Sequence, residues 1–197
     1  MVLAAGESKR MDRKKELLVV DGEPMIRKIV TKLLATPGID EVIIVLGHRA
    51  NDVGAALAGI TDERIELVGN TRYAEGMGTS LAAGARACSW GTDAVLVVLG
   101  DSPFFRTEEV DSLIAAHADG AGIAVPSFKG RRGHPVLIGG SYREELEGLD
   151  GDAGARHIIE REREAVVEVE MDDEGFLVDI DDPEDYEAVK DGIGREA

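Results

Sequence analysis

The hexapeptide Ala94-Val-Leu-Val-Val-Leu99 constrains the fold more than any other segment. It is apolar throughout and does not alternate, so a strand built from it needs cover on both faces. That is the situation of a parallel sheet sandwiched between helices. Comparable runs recur at 2–5, 41–46, 65–68, 122–126, 135–138, 165–170 and 176–180. Between them, segment 24–34 carries apolar residues at 25/26, 29/30 and 33/34, with Pro24 at its start, which predicts an amphipathic helix. Further helices are predicted at 51–57, 79–88 and 107–117, the last with Thr107 as N-cap and Glu108 and Glu109 in its first turn. The expected class is α/β: three α/β/α layers around a mainly parallel, Rossmann-like sheet, in one domain spanning 1–197.

Charge and cysteine content exclude several functions. The net charge of −17 opposes a nucleic-acid partner, whose phosphates need Lys and Arg. The lone Cys88 excludes an internal disulfide framework and a cysteine zinc cage. No apolar run approaches the roughly 18 residues of a membrane span, and the start is too polar for a secretory signal, so a cytoplasmic protein is expected. The charge is also unevenly distributed. Residues 1–36 hold eight basic and five acidic side chains (+3), residues 37–143 nine and thirteen (−4), and residues 144–197 five and twenty-one (−16).

In an open α/β sheet, ligands bind beyond the carboxyl ends of the strands. The first strand ends in Leu3-Ala4-Ala5-Gly6-Glu7-Ser8-Lys9-Arg10-Met11, a small-residue turn followed by basic residues through Lys15. Backbone N–H groups there can approach a polyphosphate, with Arg10 and Lys15 supplying charge. Composition alone favours a surface turn with solvated basic residues. It is not a Walker A loop, and Gly76-Met77-Gly78 does not extend to a dinucleotide fingerprint. Asp101, after Gly100 at the end of the fourth strand, is suited to hold Mg²⁺ or to cap a turn. Near the end, Asp182 before Pro183 reads as a helix N-cap, and Asp179 and Asp181 would share one face of a strand. The histidines have no metal-ligand spacing, and His117 and Cys88 read as structural.

Seven motifs occur in order: Leu3-Ala-Ala-Gly-x-Ser-x-Arg-Met with Lys15; Gly22-x-Pro24-Met-Ile; Gly76-Met77-x-x-Ser80; Gly100-Asp101-x-Pro103; Arg132-Gly-His134-Pro-Val; Gly151-Asp-x-Gly-Ala-Arg156; and Asp179-Ile-Asp181-x-Pro-Glu-Asp-Tyr186. Together they resemble the MobA-like nucleotidyltransferases, most closely the molybdenum cofactor cytidylyltransferase branch, whose fold is that of the nucleotide-diphospho-sugar transferases. The resemblance implies transfer of CMP from CTP to the phosphate of molybdenum-molybdopterin, with Mg²⁺ as cofactor and pyrophosphate released. It implies that Leu3, Ala4, Ala5 and Gly6 cradle the nucleotide and that Arg10 and Lys15 neutralise the triphosphate. Asp101 and Asp181 would hold the metal, with Asp179 a lesser candidate, and Ser80 would lie near base or ribose. His134 would meet the pterin and Arg156 its phosphate. The implied partners are small molecules, with a molybdoenzyme or its chaperone as recipient.

Three positions depart from the family pattern: Asp12 and Ser102 stand where Gly and Gln are usual, and Asp182 replaces Thr. The Ala4-Ala5-Gly6 form resembles the CTP users. Competing readings are a transferase using GTP or another phosphorylated acceptor, an oxidoreductase on the same scaffold, and a non-catalytic nucleotide-binding chaperone.

Overall fold

A computed structural model describes residues 1–8, 11 and 14–190. The strands are β1 (Val2–Ala4), β2 (Val19–Val20), β3 (Glu23–Pro24), β4 (Val42–Leu46), β5 (Ile65–Gly69), β6 (Ala94–Leu99), β7 (Ile123–Phe128), β8 (Arg131–Arg132), β9 (Val136–Gly139) and β10 (Val166–Glu170). The helices are α1 (Met25–Ala35), α2 (Ala50–Ala56), α3 (Met77–Ala87), α4 (Thr107–Ala118), α5 (Arg143–Glu147), α6 (Ala155–Arg161) and α7 (Pro183–Val189). The main sheet runs β10-β7-β9-β6-β1-β4-β5, with β8 paired to β7. Pairs β1–β4, β1–β6, β4–β5 and β7–β10 are parallel, whereas β9 lies antiparallel between β6 and β7.

The expected double cover is present. Because successive side chains of a strand point to opposite faces, Val2, Ala4, Ile44, Leu96 and Val98 pack with Ile26, Ile29 and Leu33 of α1 and with Val110 and Leu113 of α4. Leu3, Ala5, Val45, Val95 and Val97 pack on the other face with Leu81 and Ala85 of α3, Leu146 of α5 and Ile158 of α6. A third cluster (Leu18, Val20, Met25, Ile180 and Val189) joins the β2–β3 hairpin to α7.

Two local expectations are corrected. Segment 176–180 is not a strand: Gly175–Leu177 is a 3-10 turn whose Gly175 N–H donates to Asp173 Oδ1 at 2.8 Å. Its apolar residues serve separate clusters, Phe176 the first and Ile180 the third, so no ladder is needed to bury them. The N-cap of α4 is Arg106 rather than Thr107; Glu109 Oε2 accepts the Arg106 N–H at 2.8 Å and replaces the expected hydroxyl cap. Asp182 does cap α7, accepting from the N–H groups of Glu184 (2.9 Å) and Asp185 (3.0 Å), while Asp185 accepts from Asp182 in return. Among the described residues, no helix is long and apolar enough to cross a membrane.

Candidate active site

The carboxyl ends of β1 and β6 open into a cleft of about 660 Å³. A second hollow of about 680 Å³ lies at the opposite end of the sheet, around Asp40, Trp90 and Ala94. The first is the candidate site, because it holds the converging charged groups and sits where open α/β sheets bind ligands.

Its first wall is the loop after β1. Lys14 has a fully buried side chain; its Nζ donates to the Gly6 carbonyl and, at 2.9 Å, to Glu16 Oε1. The Lys15 N–H donates to Ser8 Oγ at 3.1 Å. These bonds close the loop onto itself and aim the neighbouring Lys15 side chain across the cleft. Lys15 Nζ reaches Asp181 Oδ1 at 2.6 Å and Asp101 Oδ2 at 3.3 Å. Three residues far apart in sequence therefore meet at one point. Arg10 and Asp12 lie outside the described residues.

Burial and charge pull against each other here. Burial raises the pKa of Asp101, Lys15 opposes that shift, and the Asp179 charge adds to it; the net shift is upward. Burial lowers the pKa of Lys15, but the Asp181 hydrogen bond and the charges of Asp101 and Asp181 outweigh it, so the ammonium is held charged. Burial likewise pushes Glu16 up against the pull of Lys14. Ser102 is buried and its Oγ donates to Asp179 Oδ1, which ties down that carboxylate beside the site. The departure at Ser102 thus has a visible local role.

The opposite wall comes from the start of α3 and the loop before α6. Gly76 and Gly78 allow the backbone at 150–153 to press against them: a Cβ on Gly78 would lie 2.6 Å from the Ala153 carbonyl oxygen, and Gly78 N–H donates to Gly151 O at 2.8 Å. Buried Asn70 donates from Nδ2 to Thr79 Oγ1 (2.9 Å) and Ser80 Oγ (3.0 Å), fixing the Ser80 hydroxyl in the wall.

Of the residues singled out from sequence, Leu3, Ala5, Gly6, Lys15, Ser80, Asp101, Asp179 and Asp181 line the cleft. Three others do not. The Ala4 side chain packs into the opposite layer by strand alternation, so only its backbone is left for the cradle expected of it. His134 is largely buried behind the site, its pKa lowered by that burial and partly restored by Asp179 and Asp101. The Arg156 side chain is 88% exposed on α6 and pairs with Glu160 at 2.7 Å, one helical turn on, so the structure does not bring it to the cleft. Sequence reasoning missed the buried Lys14–Glu16 pair; a basic run gives no sign of which lysine turns inward. Asp152, within the motif from Gly151 to Arg156, lines the cleft.

The segment after Asp101 is held from α1. Lys32 Nζ donates to the carbonyls of Pro103 (2.7 Å) and Phe105 (2.5 Å), and burial lowers its pKa from 10.5 to about 8. The folded state disfavours this charge, so between about 8 and 10.5 the unfolded chain binds more protons and stability rises with pH. Urea titrations across that window are expected to show this rise in the wild type and a flatter profile in Lys32→Met.

The domain described as the MobA-like NTP transferase domain matches residues 1–166. The chain belongs to the MobA-like NTP transferase family. Purine catabolism protein PucB of Bacillus subtilis is 31% identical over 194 residues, covering 95% of this chain and 93% of that one. Nicotine blue oxidoreductase of Paenarthrobacter nicotinovorans is 33% identical over 189 residues, covering 92% and 90%. Among solved structures, a nucleotidyl transferase from Methanothermobacter thermautotroptrophicus superimposes with a TM-score of 0.80 at 28% identity, covering 96% of this chain and 94% of the other. As a MobA-like NTP transferase, the protein is a nucleotidyltransferase.

Proposed function

We propose that this nucleotidyltransferase moves CMP from CTP to the terminal phosphate of molybdenum-bound molybdopterin. The observation that carries the reading is the convergence of Lys15, Asp101 and Asp181 in the cleft at the ends of β1 and β6. An acceptor phosphate oxygen attacks the α-phosphorus, a new P–O bond forms, and the bond to the β-phosphate bridging oxygen breaks. Pyrophosphate leaves with the electron pair. The acceptor oxygen is already ionised, so no general base is required, and catalysis rests on alignment and charge neutralisation.

The residues fit a divalent cation. Asp101 and Asp181 are hard carboxylates that already converge on one cationic group, the Lys15 ammonium. Among the described residues, no group of three or more His, Cys, Asp or Glu is placed to hold a metal. Two carboxylates are what Mg²⁺ takes from a protein when nucleotide phosphates and water complete its shell. Asp101 and Asp181 would hold it, and bound there it would neutralise charge developing on the phosphates. Lys15 contributes a fixed positive charge, the Ala5–Gly6 backbone a close approach for the nucleotide, and Ser80 a hydroxyl at the far wall. The recipient of the product would be a molybdoenzyme or its chaperone.

The test is pyrophosphate release with each of the four NTPs, Mg²⁺ and molybdenum-bound molybdopterin. Release with CTP alone supports the reading; release with GTP, or only with another phosphorylated acceptor, replaces its substrate. The likeness to nicotine blue oxidoreductase favours a second, redox reading. Pigment-dependent NAD(P)H oxidation without pyrophosphate release would establish that one instead.

A further inference from the structure

Lys15 stands where a metal would have to stand. Its Nζ lies 2.6 Å from Asp181 Oδ1 and 3.3 Å from Asp101 Oδ2, so it bridges the two carboxylates proposed above as the cation seat. Only 9% of the Lys15 side chain is exposed, against 27% for Asp101 and 41% for Asp181, so the ammonium is covered while the carboxylates face the cleft. A divalent cation entering without nucleotide would meet a resident positive charge, and among the described residues no third acid is grouped with the pair to ligate it.

From these observations we infer that Lys15 is a built-in counter-ion of the Asp101–Asp181 pair, and that it sets the order of assembly. In the free protein the ammonium blocks the seat. A triphosphate entering beside Gly6 and Ser8 offers Lys15 a stronger anion, and the side chain transfers its bonds from the carboxylates to phosphate oxygens. The carboxylates then become available as the nucleotide supplies the remaining metal ligands. Metal occupancy is therefore nucleotide-dependent, and Lys15 serves both as the obstacle in the free state and as the phosphate cation in the loaded one. The inference rests on the proposed role of Asp101 and Asp181 as a cation seat, but not on the identity of base or acceptor.

The experiment is a Mn²⁺ titration of nucleotide-free protein, with unbound Mn²⁺ followed by electron paramagnetic resonance. The variants are Lys15→Met and Lys15→Gln. The Gln side chain keeps a hydrogen-bond donor between the carboxylates without the charge, so it guards against a folding failure of the Met variant, and thermal melts check both. Removing a unit positive charge next to the seat is expected to tighten nucleotide-free Mn²⁺ binding by roughly tenfold or more. Lys15→Met with Asp101→Asn added should lose that gain. A non-hydrolysable CTP analogue should restore Mn²⁺ binding at the protein in the wild type. If neither single variant gains affinity over the wild type, or if the gain survives Asp101→Asn, the inference is overturned. Failure of the analogue to bind, alongside a gain in the Lys15 variants, would sink the CTP reading and leave the counter-ion role standing.

Discussion

Asp101→Asn is expected to reduce pyrophosphate release by about 10²–10³-fold or more, the scale seen when one preorganised charge-stabilising group is removed. The substitution keeps the shape of the side chain and removes the charge that faces Lys15. Its effect on stability should run the other way. Burial raises the Asp101 pKa, so the folded state disfavours the carboxylate at neutral pH, and a neutral amide relieves that cost. Lys15 retains its bond to Asp181 Oδ1 at 2.6 Å, so the loop after β1 keeps its tie across the cleft. The variant is therefore expected to melt at or above the wild-type temperature while losing turnover. Equal losses of melting temperature and activity would make Asp101 a structural residue.

Gly76→Ala is expected to destabilise the protein by about 3 kcal/mol, combining backbone strain with overpacking. Gly76 has φ +130°, and a Cβ there would overlap the Gly151 carbonyl and lie 2.5 Å from Asp152 Oδ1. Relief would require loop 150–153 to leave the start of α3, which would open the far wall of the cleft and expose the Arg72–Asp150 ion pair, 2.8 Å in the wild type, to dissociation. Gly22→Ala separates the two causes. Gly22 has φ +81° and a Cβ added to it would meet nothing within 4 Å, so strain alone applies and about 1 kcal/mol is expected. Urea denaturation of both variants measures the difference. Similar losses at the two positions would mean that the close approach of the loop to Gly76 contributes little.

Much of this architecture is legible in the sequence because the central strands of its sheet are short and buried on both faces. The runs at 42–46 and 94–99 announce themselves by unbroken apolar character, whereas the edge strands β5 and β10 carry Glu residues and are half exposed. The run at 176–180 misleads because apolar residues can be buried singly in different clusters without a ladder. The β2–β3 hairpin escapes a search for apolar runs although its signal is present: Asp21-Gly22 supplies two consecutive residues of positive φ, 54° and 81°.

The site is legible where motif position equals strand end. Asp101 follows directly from β6, and Lys15 follows the loop after β1, so topology brings them together. Asp181 reaches the same cleft by another route, on an extended segment whose Ile180 N–H donates to Asp101 O at 3.4 Å. The inference that Asp179 and Asp181 lie near Asp101 holds, although the strand assumed for them does not exist. What sequence could not supply is side-chain direction: Ala4 turns to one layer while Leu3 and Ala5 turn to the other, and Arg156 follows the exposed face of α6 to Glu160.

The regional charge also gains a location. The basic N-terminal segment provides Lys15, and the acidic C-terminal quarter provides Asp179 and Asp181, all lining one cleft. A crystal structure with Mn²⁺ and a non-hydrolysable CTP analogue tests the nucleotidyl-transfer site most directly. The expected result is an anomalous manganese peak within coordination distance of Asp101 and Asp181, with the triphosphate against the loop after β1 and Lys15 Nζ moved onto a phosphate oxygen. Nucleotide bound outside this cleft, or manganese bound away from both carboxylates, would contradict it.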